Sequence, residues 1–198
     1  MAIIENGGSH SRKAIVNANS QLLVKSTSEP AEITAAKTSD AYIAYGDVTF
    51  TVDTESDLIY IKNTDTDFGG RNLIITSFDM YLGSSTGGSG DATLTFYKNP
   101  TTFPTAVDAI VSNSNFADTK QVSLDAKKGN GSTKTLGAAG IELPIQINNQ
   151  PVYRFDSTTI IPKNKSIGFS FTPPSGNTSQ KVNFIISFYM ESASVDKG

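Results

Sequence analysis

The sequence predicts an all-β fold, in which a β-sandwich domain follows an extended N-terminal arm. From Gly46 onward, short runs rich in β-branched and aromatic residues alternate with clusters of Gly, Ser, Thr, Asn and Pro, a pattern typical of sandwiches and barrels. Hydrophobic residues make up 37% of the chain and charged residues 18%, which fits short strands joined by many turns. At 198 residues the chain is long enough to bury one substantial core.

Nine runs are predicted as strands. Most prolines fall at the edges of these runs or between them, where a missing backbone donor costs little. About eight strands in two sheets make a jelly roll, so the predicted fold class is a jelly-roll β-sandwich with an extended N-terminal arm. The predicted strands are, in chain order, Val48–Val52, Leu58–Asn63, Leu73–Leu82, Thr93–Lys98, Gln121–Asp125, Ile141–Ile147, Val152–Asp156, Ser166–Thr172 and Val182–Met190.

The last two runs have the clearest alternation. Because side chains on a strand point to opposite faces in turn, two sets of apolar residues are predicted to face the core. They are Ile167, Phe169 and Phe171, and Val182, Phe184, Ile186, Phe188 and Met190. The other face of the last strand carries Asn183, Ile185, Ser187 and Tyr189. That face is too apolar for full exposure to water, so it is a candidate for burial against a partner.

Two segments between the strands have less definite patterns. The run Ala106–Val111 is too short for periodicity to separate a helical turn from a short strand, and we predict a connection there. The glycine-rich stretch Gly83–Gly90 lacks the lysine of a phosphate-binding loop. It is predicted to be a flexible hairpin loop.

Residues 1–45 are predicted to be the arm, and residues 46–198 the sandwich domain. The arm has one short apolar alternation followed by the small and polar stretch Lys25–Asp40. Such a segment cannot bury enough apolar surface to offset its ordering entropy alone, so we expect it to lie on a neighbouring subunit. Its predicted anchors, the candidate partner-binding residues, are Ile15, Val16, Leu22, Leu23 and Val24.

Composition argues against several classes of partner and cofactor. The formal net charge is −3 and the basic residues are scattered, so direct binding to nucleic acid is not expected. The chain has no cysteine, which removes disulfides and thiolate zinc sites and fits assembly in a reducing cytoplasm. The stretch Met1–Gly8 does not resemble a secretion signal, and no apolar run reaches membrane-spanning length. We expect neither a membrane partner nor a cofactor.

Residue types that catalysis or metal binding would need are few. The single histidine, His10, lies in the arm, so Ser-His-Asp catalysis is not expected. Oxygen-bearing residues alternate in Asn63–Gly69 as in a calcium loop, but Phe68 and Ile74 stand where the turn glycine and the closing glutamate belong, and an acidic turn explains the stretch better. Five carboxylates could converge as a glycosidase pair, although acidic residues at strand ends are usually solvated. They are Asp47, Asp53, Glu55, Asp57 and Asp79. The prediction is that the protein is not an enzyme and has no catalytic, cofactor-binding or metal site.

Several short stretches resemble, in order along the chain, a family of virion structural proteins from tailed bacteriophages. The resemblance begins in the arm, continues through two asparagine-rich signatures in the centre, and ends near the C-terminus. The stretches are Ala14–Ser26, Ser28–Pro30, Asp40–Tyr42, Thr95–Thr101, Asn113–Phe116, Ile161–Asn164 and Phe171–Asn177.

The resemblance implies a structural protein of the virion that is assembled in the host bacterial cytoplasm. We expect a capsid decoration (cement) protein, a homotrimer that contacts the major capsid protein or other virion proteins and stabilises the shell by bridging neighbouring subunits. The family implies no catalytic residue. Three alternatives stay open: a tail, collar or fibre-associated virion protein, a host-glycan-binding module, and a glycosidase with two carboxylates in one cleft.

Overall fold

A computed structural model describes residues 3–5, 13–16, 22–23, 30–66, 70–104, 107–137, 142–147 and 152–191. The chain divides into two compact units, residues 1–31 and residues 32–198. The predicted boundary between residues 45 and 46 lies inside a strand of the second unit, which begins at Ala41.

The first unit contains three short strands: β1 (Ile3–Glu5), β2 (Lys13–Val16) and β3 (Leu22–Leu23). They form an antiparallel sheet in the order β1-β2-β3. The described part of the predicted extended arm is therefore a small meander in which neighbouring segments run in opposite directions. The β-branched residues Ile15 and Val16 suit β-pairing.

The second unit begins with one short helix and continues with eleven strands among its described residues. The helix, α1 (Ala31–Lys37), follows Pro30, carries Glu32 in its first turn and Lys37 in its last, and ends before Ser39, which has a φ of 60°. The strands are β4 (Ala41–Phe50), β5 (Ser56–Asn63), β6 (Leu73–Ser89), β7 (Ala92–Lys98), β8 (Val107–Asp108), β9 (Ile110–Asn113), β10 (Leu124–Lys128), β11 (Glu142–Ile147), β12 (Val152–Ile161), β13 (Ser166–Thr172) and β14 (Ser175–Met190).

The strands of this unit form two antiparallel sheets that pack face to face. One has five strands in the order β12-β6-β14-β4-β9, and the other has six in the order β11-β7-β13-β5-β10-β8. From β4 to β7 and from β11 to β14, each strand lies in the opposite sheet to the strand before it. The prediction of an all-β sandwich is confirmed. Pro144 lies in β11, an edge strand, where its missing donor is tolerated.

The core lies between the two sheets, and it includes the predicted aromatic residues. Phe169 and Phe171 of β13 are buried in the same cluster as Phe184 and Phe188 of β14. The predicted alternation on β14 is confirmed, because Val182, Phe184, Ile186, Phe188 and Met190 are all buried. On β13, Phe169 and Phe171 are buried, whereas Ile167 is half-buried and packs against the cluster.

Two connections that the sequence predicted are wrong. The segment from Val107 to Asn113 forms β8 and β9, which pair with β10 and β4 respectively. Most of the glycine-rich stretch from Gly83 onward continues β6 as far as Ser89, and it pairs with the first half of β14. The residues of this stretch have low intrinsic β-propensity, so their sequence does not predict a strand. Hydrogen bonds from the partner strand nevertheless hold the stretch in a strand conformation.

Candidate interaction surfaces

The outer face of the five-stranded sheet is unusually apolar for a solvent-exposed surface. We call it the five-stranded face; its central row joins Arg154, Asp79, Ile185, Tyr45 and Ile110, which lie opposite one another on the five strands. Seven large apolar side chains remain exposed in the described part of the chain, and four of them lie on this face. They are Tyr45, Ile110, Val152 and Ile160. In the sequence, Ile185 and Tyr189 indicated that one face of the last strand is apolar. The residues that lie beside them on other strands could not be predicted.

An ion pair lies among these apolar residues. Arg154 Nε donates to Asp79 Oδ1 at 2.6 Å and Arg154 Nη2 donates to Asp79 Oδ2 at 3.3 Å. Asp79 is buried, whereas the side chain of Arg154 is 62% exposed, so the guanidinium covers the carboxylate from the solvent side. The hydrogen bond and charge of Asp79 raise the pKa of Arg154. Arg154 therefore presents a permanent positive charge on the five-stranded face.

The outer face of the six-stranded sheet is covered by a segment of the same unit, residues 129–137, which we call the clamp loop. Gly129 N donates to Leu58 O at 3.0 Å, and Thr51 N donates to Gly131 O at 3.0 Å. A Cβ on Gly129 would stand 1.8 Å from Asp57 O, and one on Gly131 would stand 1.9 Å from Thr49 O. Only glycine permits this close approach of two backbones.

Two of the carboxylates that the sequence offered as a glycosidase pair hold the clamp loop. Asp57 accepts hydrogen bonds from the backbone nitrogens of Thr135 and Leu136, at 2.8 Å and 3.0 Å. Glu55 Oε2 accepts from Lys134 Nζ at 2.7 Å, and Glu55 Oε1 accepts from the hydroxyls of Tyr97 and Ser170. Burial alone would raise the pKa of Glu55. The hydrogen bonds from Lys134, Ser170 and Tyr97 lower this pKa by more than burial raises it, so it lies below its ordinary value. Both groups act as anchors for the clamp loop.

A small apolar cluster lies beneath the clamp loop. Leu136 packs with Tyr60 and Tyr97, and Phe103 stacks on Tyr60 with ring centroids 4.3 Å apart. Leu136 reaches this position because Gly168 has no side chain; a Cβ there would lie 2.6 Å from Leu136 Cδ2. The loop thus covers this face with apolar contacts as well as hydrogen bonds, and these contacts could not be predicted because the partners lie far apart in the chain.

The segment that resembled a calcium loop is tied into the end of the sandwich. Asn63 Nδ2 donates to the backbone oxygens of Arg71 and Ile161, at 2.8 Å and 2.9 Å. Asp65 accepts hydrogen bonds from the backbone and the guanidinium of Arg71, and Arg71 Nη1 also donates to Asp40 Oδ1 at 2.8 Å. Residues 67–69 lie outside the described residues. The described part of this segment is consistent with an acidic turn, in which both carboxylate oxygens of Asp65 accept hydrogen bonds from Arg71.

Asparagines of the stretches that carry the resemblance build loops at the ends of the sandwich. Asn113 Nδ2 donates to Ser39 O at 2.9 Å, while its Oδ1 accepts from Asn115 N at 2.8 Å. Asn99 has a φ of 58°, and its Oδ1 accepts from Ser166 N at 3.1 Å. The side chain of Phe116, in the loop after β9, is 99% exposed. Asparagine suits these positions because its short amide substitutes for a backbone partner and tolerates positive φ.

An open groove of about 740 Å³ lies beside the ends of β7 and β12. Half-buried Phe96 and exposed Ile160 give it an apolar lining, and Lys98 and Lys165 add two basic groups. No carboxylate is among its lining residues in the described part of the chain. This lining differs from that of a sugar-binding groove, in which an aromatic cluster would lie beside acidic residues.

The predicted arm anchors lie in the first unit. Ile15 and Val16 of β2 are opposite Leu23 and Leu22 of β3 in the antiparallel register. Val24 and His10 lie outside the described residues. The four described anchors are therefore paired with one another along their backbones.

The comparisons with known proteins yield no relative from which a function could be transferred. No protein-family model matches the chain, and no curated protein matches it. In the described part of the chain, no group of three or more His, Asp or Glu side chains is placed to hold a metal ion. The one described helix, α1, is far too short to cross a membrane, and no described helix meets the length and apolarity that a span needs.

Proposed function

We propose that this protein is a structural component of a bacteriophage virion, a capsid decoration protein that stabilises the shell by bridging neighbouring subunits. The observation that carries the proposal is the strand order of the sandwich, taken together with the resemblance of seven sequence stretches to tailed-phage virion proteins. Jelly rolls are frequent in capsid domains, because their sheets and end loops offer several separate surfaces to neighbours.

The strand order supports the jelly-roll part of the proposal. Without the inserted strands β8, β9 and β10, the sheets have the orders β12-β6-β14-β4 and β11-β7-β13-β5. The first and last strands of the eight, β4 and β14, are then neighbours in one sheet, and the second and seventh, β5 and β13, are neighbours in the other. This order supports a chain wound as two Greek keys, as we propose for a jelly roll. The inserted strands extend both sheets on the β4 and β5 side.

The surfaces of the sandwich support a role in assembly. The clamp loop covers the six-stranded sheet, while the five-stranded face leaves Tyr45, Ile110, Val152 and Ile160 exposed. Several exposed apolar side chains on one sheet face are typical of surfaces that contact other proteins, a second copy of the same chain included. The end loops, with Phe116 exposed near α1, offer a second contact region at one end of the sandwich.

The proposed mechanism is stabilisation by mass action. A subunit that binds only the expanded shell lowers the free energy of that state in proportion to the logarithm of its concentration over its dissociation constant. The first unit, residues 1–31, would add contacts to a neighbour through Ile15, Val16, Leu22, Leu23 and Val24. A tail, collar or fibre-associated position in the virion would use the same surfaces.

The experiment that tests this proposal mixes the purified chain with expanded phage shells that lack it. We expect the chain to sediment with the shells at a saturating ratio and to raise the temperature at which the shells rupture. Unexpanded shells serve as the control and should bind little. Binding to neither form, with the chain folded, would contradict the proposal of a capsid decoration protein.

A further inference from the structure

We propose that the five-stranded face pairs with the same face of a second copy of this chain, through a two-fold axis that lies between Arg154 and Asp156 and runs across the strands. The proposal does not depend on a role in a virion. It follows from the way that charges and apolar side chains are arranged on this face.

The register of the sheet places the outward side chains in parallel rows. One row carries Arg154, Asp79, Ile185, Tyr45 and Ile110, and the next carries Asp156, Ser77, Ser187, Ile43 and Ser112. These two central rows are two residues apart on every strand, which is about 7 Å; beyond the second row, register shifts add residues to β12 and β6. On either side of these two rows lie a row with Val152, Tyr81, Asn183 and Asp47 and a row with Ile160, Ile74, Tyr189 and Ala41.

A two-fold axis between the two central rows makes their charges complementary. The axis stacks β12 of one copy on β12 of the other in the opposite direction. Arg154 of each copy then faces Asp156 of its partner, so one residue pair forms two intermolecular ion pairs. Both side chains are exposed in the single chain and available for these contacts. Reciprocal contacts of this kind are the property that defines an isologous interface.

The same axis brings apolar side chains together. Tyr45 comes to face Ile43 of the second copy, and Val152 comes to face Ile160. Three of these four side chains are exposed in the single chain, and Ile43 is half-buried. The pairing therefore removes from water the apolar residues that make this face unusual.

The size of the face suits a stable pair. Four strands spaced about 4.8 Å apart and about 30 Å long, together with the four-residue β9, cover about 640 Å². Specific interfaces bury about 600–1,000 Å² on each partner, so the face lies at the lower end of the required size. Two twisted sheets that stack in this way keep their strands within about 30° of each other.

The test uses two charge-reversal variants of the full chain, Arg154→Asp and Asp156→Arg. Wild-type protein should sediment as a dimer in analytical ultracentrifugation. Each variant alone places like charges opposite each other twice, and we expect its association to weaken at least about tenfold. An equimolar mixture of the two variants restores both ion pairs in a mixed dimer, so the mixture should sediment as a dimer again.

Two controls separate pairing from folding. Asp91→Arg makes the same charge change as Asp156→Arg in the exposed turn between β6 and β7, and it should leave the dimer intact. Asp156→Arg leaves both partners of the ion pair between Arg154 and Asp79 in place, so the variant should stay folded and have the circular dichroism spectrum of the wild-type chain. A wild-type chain that stays monomeric or trimeric, or variants that fail to recover the dimer when mixed, would overturn the proposal. A wild-type chain that forms the dimer but does not bind expanded shells would contradict only the decoration function.

Discussion

Replacing Phe169 by alanine should remove a large part of the stability of the sandwich. Phe169 is 2% exposed, and its ring centroid lies 4.6 Å from that of Phe78 in the opposite sheet and 4.7 Å from that of Phe96 beside it. The loss of a buried phenyl ring and the cavity that it leaves cost about 3–5 kcal/mol together. Since domains of this kind have a total stability of about 5–15 kcal/mol, this one substitution should lower it by a substantial fraction.

The assay is guanidinium unfolding followed by circular dichroism, with Phe116→Ala as the matched control. The control removes the same atoms from a side chain that is 99% exposed, so its free energy of unfolding should change by less than about 0.5 kcal/mol. For a chain of this size the Phe169→Ala change corresponds to a fall of about 6–20 °C in melting temperature. A loss below about 1 kcal/mol for Phe169→Ala, or equal losses for both variants, would refute the assignment of Phe169 to a core shared by the two sheets.

Three further predictions concern the clamp loop and the boundary of the first unit. Because the pKa of Glu55 is lowered in the folded chain, its contribution to stability should be complete above pH 4.5 and should be lost as the pH falls below that value. The difference in unfolding free energy between wild type and Glu55→Gln should therefore shrink as the pH falls below 4.5. A difference that stays constant would contradict this role of Glu55. Gly129→Ala should separate the clamp loop from β5 and increase amide hydrogen exchange in residues 129–137, whereas Gly90→Ala, where a Cβ meets nothing within 4 Å, should leave that exchange unchanged. Deletion of residues 1–30 should leave the melting temperature of the second unit unchanged, but deletion of residues 1–40 should lower it, because it removes α1, the Ser39 oxygen that accepts from Asn113 and the Asp40 carboxylate that pairs with Arg71; equal melting temperatures for the two deletions would contradict this role of residues 31–40.

The local features of the fold could be predicted from the sequence because they follow the two-residue period of a strand. Val182 to Met190 alternates without interruption, and the structure buries the residues that this pattern selects. The same strand begins seven residues earlier, at Ser175, but register shifts near Asn177 and Gln180 break the alternation there. Because bulges interrupt the two-residue alternation, the start of the strand was predicted too late in the chain.

Features that depend on distant partners could not be predicted. Asp57 binds the clamp loop across 78 residues or more, and nothing near either segment distinguishes this carboxylate from a solvated one. The five-stranded face was visible only in part, because Tyr45 and Ile110 join Ile185 through pairings between separate strands. The helix α1 was missed although Pro30, Glu32 and Lys37 are typical of helix ends; the polar composition around it favoured an unstructured arm.

Membership of a phage particle, which we propose for this chain, can be checked by a reconstruction of the particle by electron cryomicroscopy. The reconstruction should contain density for a two-sheet sandwich of this topology on the outside of the capsid, with residues 1–31 of each copy in contact with a neighbouring subunit. Mass spectrometry of the same purified particles should detect the chain at a fixed ratio to the major capsid protein. Particles that are complete and infectious without the chain, with no such density on capsid or tail, would contradict the claim.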